Sequence, residues 1–253
     1  MDRLIFNAYA ALRDKSVDWK VMTNDVSNIS TVGFKRSFAV VTQAMKALGP
    51  GFESRLQPQG RYTDRVQLEA GPMMATGRAL DIAMQGRTVV SVQAKNNEVA
   101  FTRRGDLRVN VDGALETGAG HLVLGEDGPI TVPPGFSVRI NQDGTVVASD
   151  PAQAGVAAEQ VLAQLRLRDA SNVALSRRED GLFAVSDQPP GADIVNGTEL
   201  VGVVTGMLEN SNVSAVDALT RLMDHARSFE IQVKAIKEVK ELDASGTTMI
   251  KLG

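Results

Sequence analysis

Apolar residues recur at a seven-residue step along the first thirty positions of the chain. Ile5, Leu12, Trp19 and Val26 fall on one line, and Met1, Ala8, Met22 and Ile29 fall on a companion line that only Lys15 interrupts. So narrow a stripe predicts a helix packed lengthwise against another helix, although the same spacing also fits an ordinary amphipathic helix on its own domain's core. About 29 residues at about 1.5 Å each would span roughly 43 Å. A matching stripe lies at the other end of the chain. Ser214-Ala-Val-Asp217 has the form of a capping box, in which a hydroxyl and an acid satisfy orphan backbone N–H groups, so a helix should begin there. Leu219, Leu222, Ala226, Phe229, Val233 and Ile236 then follow in steps of three and four. Lys234, Lys237 and Lys240 interleave with Glu230, Glu238 and Glu241, which suits pairing on a solvated or subunit-facing surface.

Between these tracts the pattern changes to short β-like runs punctuated by turns. Arg87 to Ala94, the turn Lys95-Asn96-Asn97 and Glu98 to Arg103 predict a hairpin. Asp106 to Val111 runs into Asp112-Gly113, and Ser137 to Asn141 runs into Asp143-Gly144 ahead of Thr145 to Ala148. Asp-Gly between β-rich runs is a strong hairpin signal because both turn residues tolerate positive φ. Gln164 to Arg168, Leu182 to Val185 and Leu200 to Thr205 are expected to add strands. Residues 36–77, with four arginines and scattered glycine, are expected to form an extended connector.

The breakers sharpen this division. All nine prolines lie between Pro50 and Pro190, and none of the 23 glycines falls within residues 1–32 or 207–245. Proline and glycine cost a helix interior about 3 and 1 kcal/mol, so tracts that lack both are free to be helical. The expected fold class is therefore α+β: long N- and C-terminal helices paired as a coiled-coil-like axial domain, and a central all-β domain of short antiparallel strands. The expected boundaries are 1–33 with 212–253 for the axial domain, 34–77 for the connector and 78–211 for the β domain. Two helices alone bury one stripe each, and the remaining apolar surface asks for neighbours from other chains. Ile5, Leu12, Trp19, Met22, Val26, Ile29, Leu219, Leu222, Phe229, Val233 and Ile236 are the candidate assembly residues.

Composition mostly excludes. The 253 residues include no cysteine, which rules out disulfides, thiolate catalysis and Cys-ligated metals, and a net charge of −3 does not describe a uniformly basic nucleic-acid binder. Aromatic residues make up only 4%, too few for stacking platforms. Asn7, Arg13, Asp14, Lys15 and Asp18 break up the first tract, so neither a cleaved secretory signal nor a membrane span is expected. The two histidines, His121 and His225, sit in different predicted elements, and no spacing makes a triad or metal pair of them. Phosphate loops, nucleophile elbows and zinc helices have no match, and Gly118-Ala-Gly120-His-Leu-Val123 fails the dinucleotide fingerprint at its third glycine. Asp112-Gly113 and Asp143-Gly144 lack the further ligands of a calcium loop and are read as turns. Arg103-Arg104 beside Asp106 could hold an anion, but a strand-end ion pair is the stronger reading. No catalytic, cofactor-binding or metal residue is expected, and no enzyme. A β-domain enzyme with helical oligomerisation arms is the competing class, and it lacks a second catalytic partner for His121.

One segment carries a resemblance. Asn24-Asp-Val-Ser-Asn28-Ile-Ser-Thr31-Val-Gly33-Phe34-Lys35 resembles the Asn-rich motif, ending in Thr-x-Gly-Phe-Lys, that closes the first helix of bacterial flagellar rod and hook proteins. Physically, Asn and Ser compete for backbone bonds, Gly33 can supply a left-handed stop, and Phe34 can fold back. The resemblance continues through Thr76-Gly-Arg-Ala-Leu-Asp81, Phe101-Thr-Arg-Arg-Gly105, Asp112-Gly-Ala-Leu115, Gly128-Pro-Ile130 and Asp143-Gly-Thr145. It closes with Gly206-Met-Leu208-Glu209-Asn-Ser211-Asn212-Val213. Arg87-Thr-Val-Val90 stands where the family has a second glycine and aromatics, and Asp106-Leu107 also departs from its pattern. Met-Asp-Arg-Leu-Ile-Phe6 and the length look like the proximal-rod branch; a distal-rod or hook-type member is the alternative. The resemblance implies a structural subunit exported unfolded through the flagellar type III apparatus without a cleaved signal and assembled in the periplasm into the basal-body rod. Its partners would be further copies and neighbouring rod proteins, with no cofactor, no nucleic acid and no membrane span.

Overall fold

The structure, a computed structural model, describes residues 16, 18–39, 42–46, 56–60, 64–150, 159–195, 197 and 199–251. The chain divides into two compact units, one of residues 1–27, 39–63 and 214–253, the other of residues 28–38 and 64–213.

The second unit is almost wholly β. Its strands are β1 (Ser37–Ala39), β4 (Asp64–Val66), β5 (Met73–Ala75), β6 (Ile82–Met84), β7 (Thr88–Gln93), β8 (Val99–Thr102), β9 (Leu107–Val109), β10 (Leu115–Thr117), β11 (Leu122–Gly125) and β12 (Gly128–Pro129). After them come β13 (Ser137–Ile140), β14 (Thr145–Ser149), β15 (Gln160–Gln164), β16 (Leu167–Asp169), β17 (Leu175–Arg177), β18 (Phe183–Val185), β19 (Val203–Thr205) and β20 (Met207–Glu209). The main sheet runs β17-β18-β8-β7-β11-β10-β9, with β12 on β11 and β16 on β7. Its pairings are antiparallel, as hairpins with short turns require. Asn97 (φ 64°), Gly113 (φ 81°) and Gly144 (φ 86°) make the predicted turns. The Gln164 to Arg168 run is broken at residues 165–166, which divide β15 from β16.

β7 explains why this unit holds together. Val90 and Val92 join one buried cluster with Ile82, Leu107, Leu115 and Val146, while Val89 points to the other face and joins Phe101, Leu175 and Ile194. The strand's two-residue period thus feeds two cores at once. Each fully buried Val contributes about 1.5–3 kcal/mol.

The first unit holds helix α1, described over residues 18–27, the hairpin β2 (Thr42–Lys46) with β3 (Leu56–Gly60), and helix α2 (Ala215–Lys251). α2 starts where the capping pattern placed it. Ser214 O accepts the Ala218 amide at 2.9 Å, Ser214 Oγ faces the Asp217 amide at 3.5 Å, and Asp217 also takes Arg221 at 3.1 Å.

The expected fold class is overturned. Twenty strands stand against two helices among the described residues, and no coiled-coil seam closes between terminal helices. Trp19, Leu219 and Phe229, which such a seam would bury, remain 41%, 53% and 48% exposed. The reason is physical: absence of breakers permits helix, but a helix pair needs interlocked side chains, and the chain buries its apolar area in the sheets instead. Within this unit Trp19 meets His225, ring centroids 5.2 Å apart.

Candidate functional site

Segments far apart in sequence converge on one carboxylate. Glu209 ends β20 with its side chain fully buried. Oε1 accepts hydrogen bonds from Lys35 Nζ at 2.6 Å and the Gly71 amide at 2.9 Å, and Oε2 accepts from Arg103 Nε at 2.8 Å. Lys35 Nζ also donates to the Glu69 carbonyl at 2.7 Å. The Arg103 guanidinium reaches the carbonyls of Met84 (2.8 Å), Gly86 (2.7 Å) and Thr88 (3.2 Å), tying the cluster to β6 and β7. Buried charges are tolerable only when paired and hydrogen-bonded, and all three are. Burial pushes the Lys35 amine down to about 8 from 10.5, against the hydrogen bond and charge of Glu209.

Backbone fit is as tight as the electrostatics. Gly33 donates to the Glu209 carbonyl at 2.7 Å and takes φ +69°. A Cβ there would lie 2.3 Å from the Arg103 carbonyl oxygen, and one on Gly71 would lie 2.2 Å from that of Asn210. A turn at residues 28–30 ends α1, so Gly33 lies beyond the helix end, and its conformation serves this close approach. Phe34 stacks under the Arg177 guanidinium, 4.3 Å from its ring centroid, and Arg177 also donates to the Lys35 carbonyl.

The remaining motif residues fasten the same segments. Asn212 Oδ1 accepts the Arg36 amide at 2.7 Å, while Nδ2 donates to the Gln67 carbonyl at 3.0 Å. Thr31 donates to Asn28 through both Oγ1 (3.0 Å) and its amide (3.1 Å). Ser211 is buried and its Oγ accepts the Val213 amide at 3.2 Å, Leu208 is buried opposite Met74, and Asn24 is exposed on α1.

The candidate assembly residues are placed differently. Ile5 and Leu12 lie outside the described residues. Met22, Val26, Ile29, Leu222, Val233 and Ile236 are half-buried, whereas Trp19, Leu219 and Phe229 are exposed. His121 lies on the β10–β11 hairpin, its imidazole pushed below the usual histidine value by burial, and His225 lies on α2. Among the described residues no group of three or more acidic, histidine or cysteine side chains could hold a metal. Arg104 pairs with Asp106 at 2.6 and 2.8 Å, as a strand-end ion pair should, while its neighbour Arg103 turns inward to Glu209. The sequence singled out Arg103 as a possible anion holder but favoured a strand-end pair with Asp106 and did not foresee Glu209 as its partner, and it missed Arg177. Arg103 stood inside Phe101-Thr-Arg-Arg-Gly105, but nothing local marked Arg177.

In this β-rich unit the buried charges of Lys35, Arg103 and Glu209 fasten the unit's own chain segments. Comparison with known proteins identifies the family. Residues 83–148 match the family described as flagellar hook protein FlgE/F/G D1 domain, and residues 204–249 match the flagellar basal body rod FlgEFG protein C-terminal family. The chain is 31% identical over 254 residues to the flagellar basal-body rod protein FlgF of Salmonella typhimurium, covering 100% of both. It is 32% identical over 243 residues to FlgF of Escherichia coli, covering 95% of both. With FlgG of Agrobacterium fabrum the identity is 27% over 265 residues, covering 95% of this chain and 96% of that protein. The chain belongs to the flagellar basal-body rod protein family, and among these relatives it is more similar to the two FlgF proteins than to FlgG. It is a structural protein and not an enzyme. Arg103 falls in one matched region and Glu209 in the other, so the ion cluster joins them.

Proposed function

We propose that this chain is a subunit of the basal-body rod, of the proximal-rod type, and assembles with further copies and neighbouring rod proteins through its terminal tracts, 1–33 and 212–253. Segment 34–77 connects those tracts to a central β domain, 78–211. The subunit passes unfolded through the flagellar type III export apparatus without a cleaved signal and assembles in the periplasm. Among the described residues no helix is long and apolar enough to cross a membrane.

The observation that supports this reading is the apolar surface that α2 leaves open. Val216, Leu219, Met223, Phe229 and Ile231 are between 48% and 75% exposed along one helix. Large apolar side chains this exposed on one helix of a single chain suit contacts with other chains. Trp19, Met22, Val26, Leu222, Val233 and Ile236, with Ile5, Leu12 and Ile29, contribute to the same contacts. In a motile strain whose only copy carries Leu219→Ser with Phe229→Ser, basal bodies should lack a complete rod while the purified variant keeps its β-sheet circular dichroism. Normal rods and normal swimming in that strain would sink the reading.

A further inference from the structure

The ion cluster lies between two small ladders, β1 with β4 and β5 with β20, and reinforces the segments that lead out of them. Residues 33–36 and 67–71 form no strand, and of these residues only Leu68 belongs to a buried apolar cluster. Both are held by polar contacts. Lys35 and Gly71 bond Oε1 of Glu209, Gly33 bonds its backbone oxygen, and Asn212, three residues on, bonds Arg36 and Gln67.

We propose that Glu209 is the keystone of a clasp that opens and closes as one unit: residues 33–36, 67–71 and 207–212 come free together, while the sheet around β7 stays folded. The physical reason lies in what partial opening would leave behind. Withdrawing Lys35 alone leaves one carboxylate oxygen short of a partner in a fully buried site. Withdrawing the carboxylate strands both Lys35 and Arg103, and stranded buried charges cost far more than the contacts individually contribute. Opening the whole clasp lets water solvate every group at once. The segments are therefore cooperative although they are not one element, a foldon held by buried charge in addition to the short β5–β20 ladder. Residues 28–36 follow α1 in the chain and residues 207–213 precede α2, so the clasp sets whether both lead-in segments are fixed or loose at the same moment. This holds for the isolated chain, whether or not its terminal tracts polymerise.

Native-state hydrogen exchange on the full chain tests it. In the unaltered protein under mild denaturant, the amides of Gly33, Arg36 and Gly71 should exchange through one shared opening with a common denaturant dependence, easier than the opening that frees Val90 and Val92. Three unrelated openings, or one indistinguishable from that of Val90, would overturn the proposal. In Glu209→Gln the three amides should exchange at least about tenfold faster together, with Val90 and Val92 changed less than about threefold. Adding Lys35→Met should increase their exchange no further, because the ion pair that Lys35 made is already gone. Acceleration confined to Gly71, which loses its direct acceptor, would also overturn it. The measurement on the unaltered protein decides the matter if the variants do not fold.

Discussion

The β unit and helix α2 treat their difficult groups in opposite ways. In the β unit even three charges are buried, because Lys35, Glu209 and Arg103 satisfy one another, and the strands bury apolar residues on both faces of β7. In α2 the difficult groups are apolar and they stay outside: Leu219, Met223, Phe229 and Ile231 face solvent over much of their surface. The β unit also exposes single apolar residues such as Val111, Val195 and Leu200, but it alone has a buried core and a buried ion cluster, whereas α2 leaves most of its large apolar side chains at least partly open. Substitutions should therefore act on stability in the first and on association in the second.

The largest effect is expected at the clasp. Glu209→Ala leaves two cations buried without their anion and should lower unfolding stability by about 3–5 kcal/mol, read from urea denaturation followed by β-sheet circular dichroism. A loss within that of an ordinary surface change would remove the contrast. Gly33→Ala comes next, at about 1–3 kcal/mol or more, since it forces a methyl against the Arg103 carbonyl at positive φ.

Lys35 sharpens the comparison through pH. Its folded value of about 8 lies below the ordinary 10.5, so between those values the unfolded chain binds more protons. Stability from this residue is therefore full above about 10.5, and is lost as pH falls through about 8. Glu209, Arg103, the Glu69 side chain and carbonyl, and Arg177 at the Lys35 carbonyl surround it. The stability gap between the unaltered protein and Lys35→Met should shift toward the unaltered protein as pH rises from about 8 to about 10.5, by as much as about 1 kcal/mol per pH unit. A gap flat with pH would refute the buried-amine account.

Smaller effects belong to the helix. Ser214→Ala removes the cap of α2 and should cost about 0.5–1 kcal/mol, visible as lost helical signal at 222 nm. Phe229→Ser should change monomer stability by less than about 0.5 kcal/mol while weakening self-association measured by sedimentation. A monomer loss several times larger would mean that α2 is already packed, and the contrast between the two regions would fail.

Much of the β unit was legible because its signals are local. Asn97, Gly113 and Gly144 sit where turn chemistry places positive φ, and the apolar runs beside them became strands within a residue or two. β1 and β5 were not legible: Ser37–Ala39 and Met73–Ala75 are too short for a period, and their partners β4 and β20 lie far along the chain. The motif residues Lys35, Glu209 and Asn212 were picked out by resemblance, but not their roles. Arg177 carried no local sign because its position over Phe34 depends on 142 intervening residues of folding.

By itself the sequence determined what is local: where turns bend, where α2 begins at Ser214, which chemistries the absence of cysteine forbids, and which family the motifs belong to. Only the tertiary structure decided the class of fold and the meaning of the charges. Helix permission and heptad spacing are properties of one segment, whereas a closed seam needs a partner surface, and the described chain leaves Trp19 and Phe229 exposed. Likewise a lysine, an arginine and a glutamate separated by up to 174 residues read as surface charges until folding removes their water. Their energy then depends on mutual distance, and distance across the chain is what a sequence leaves open.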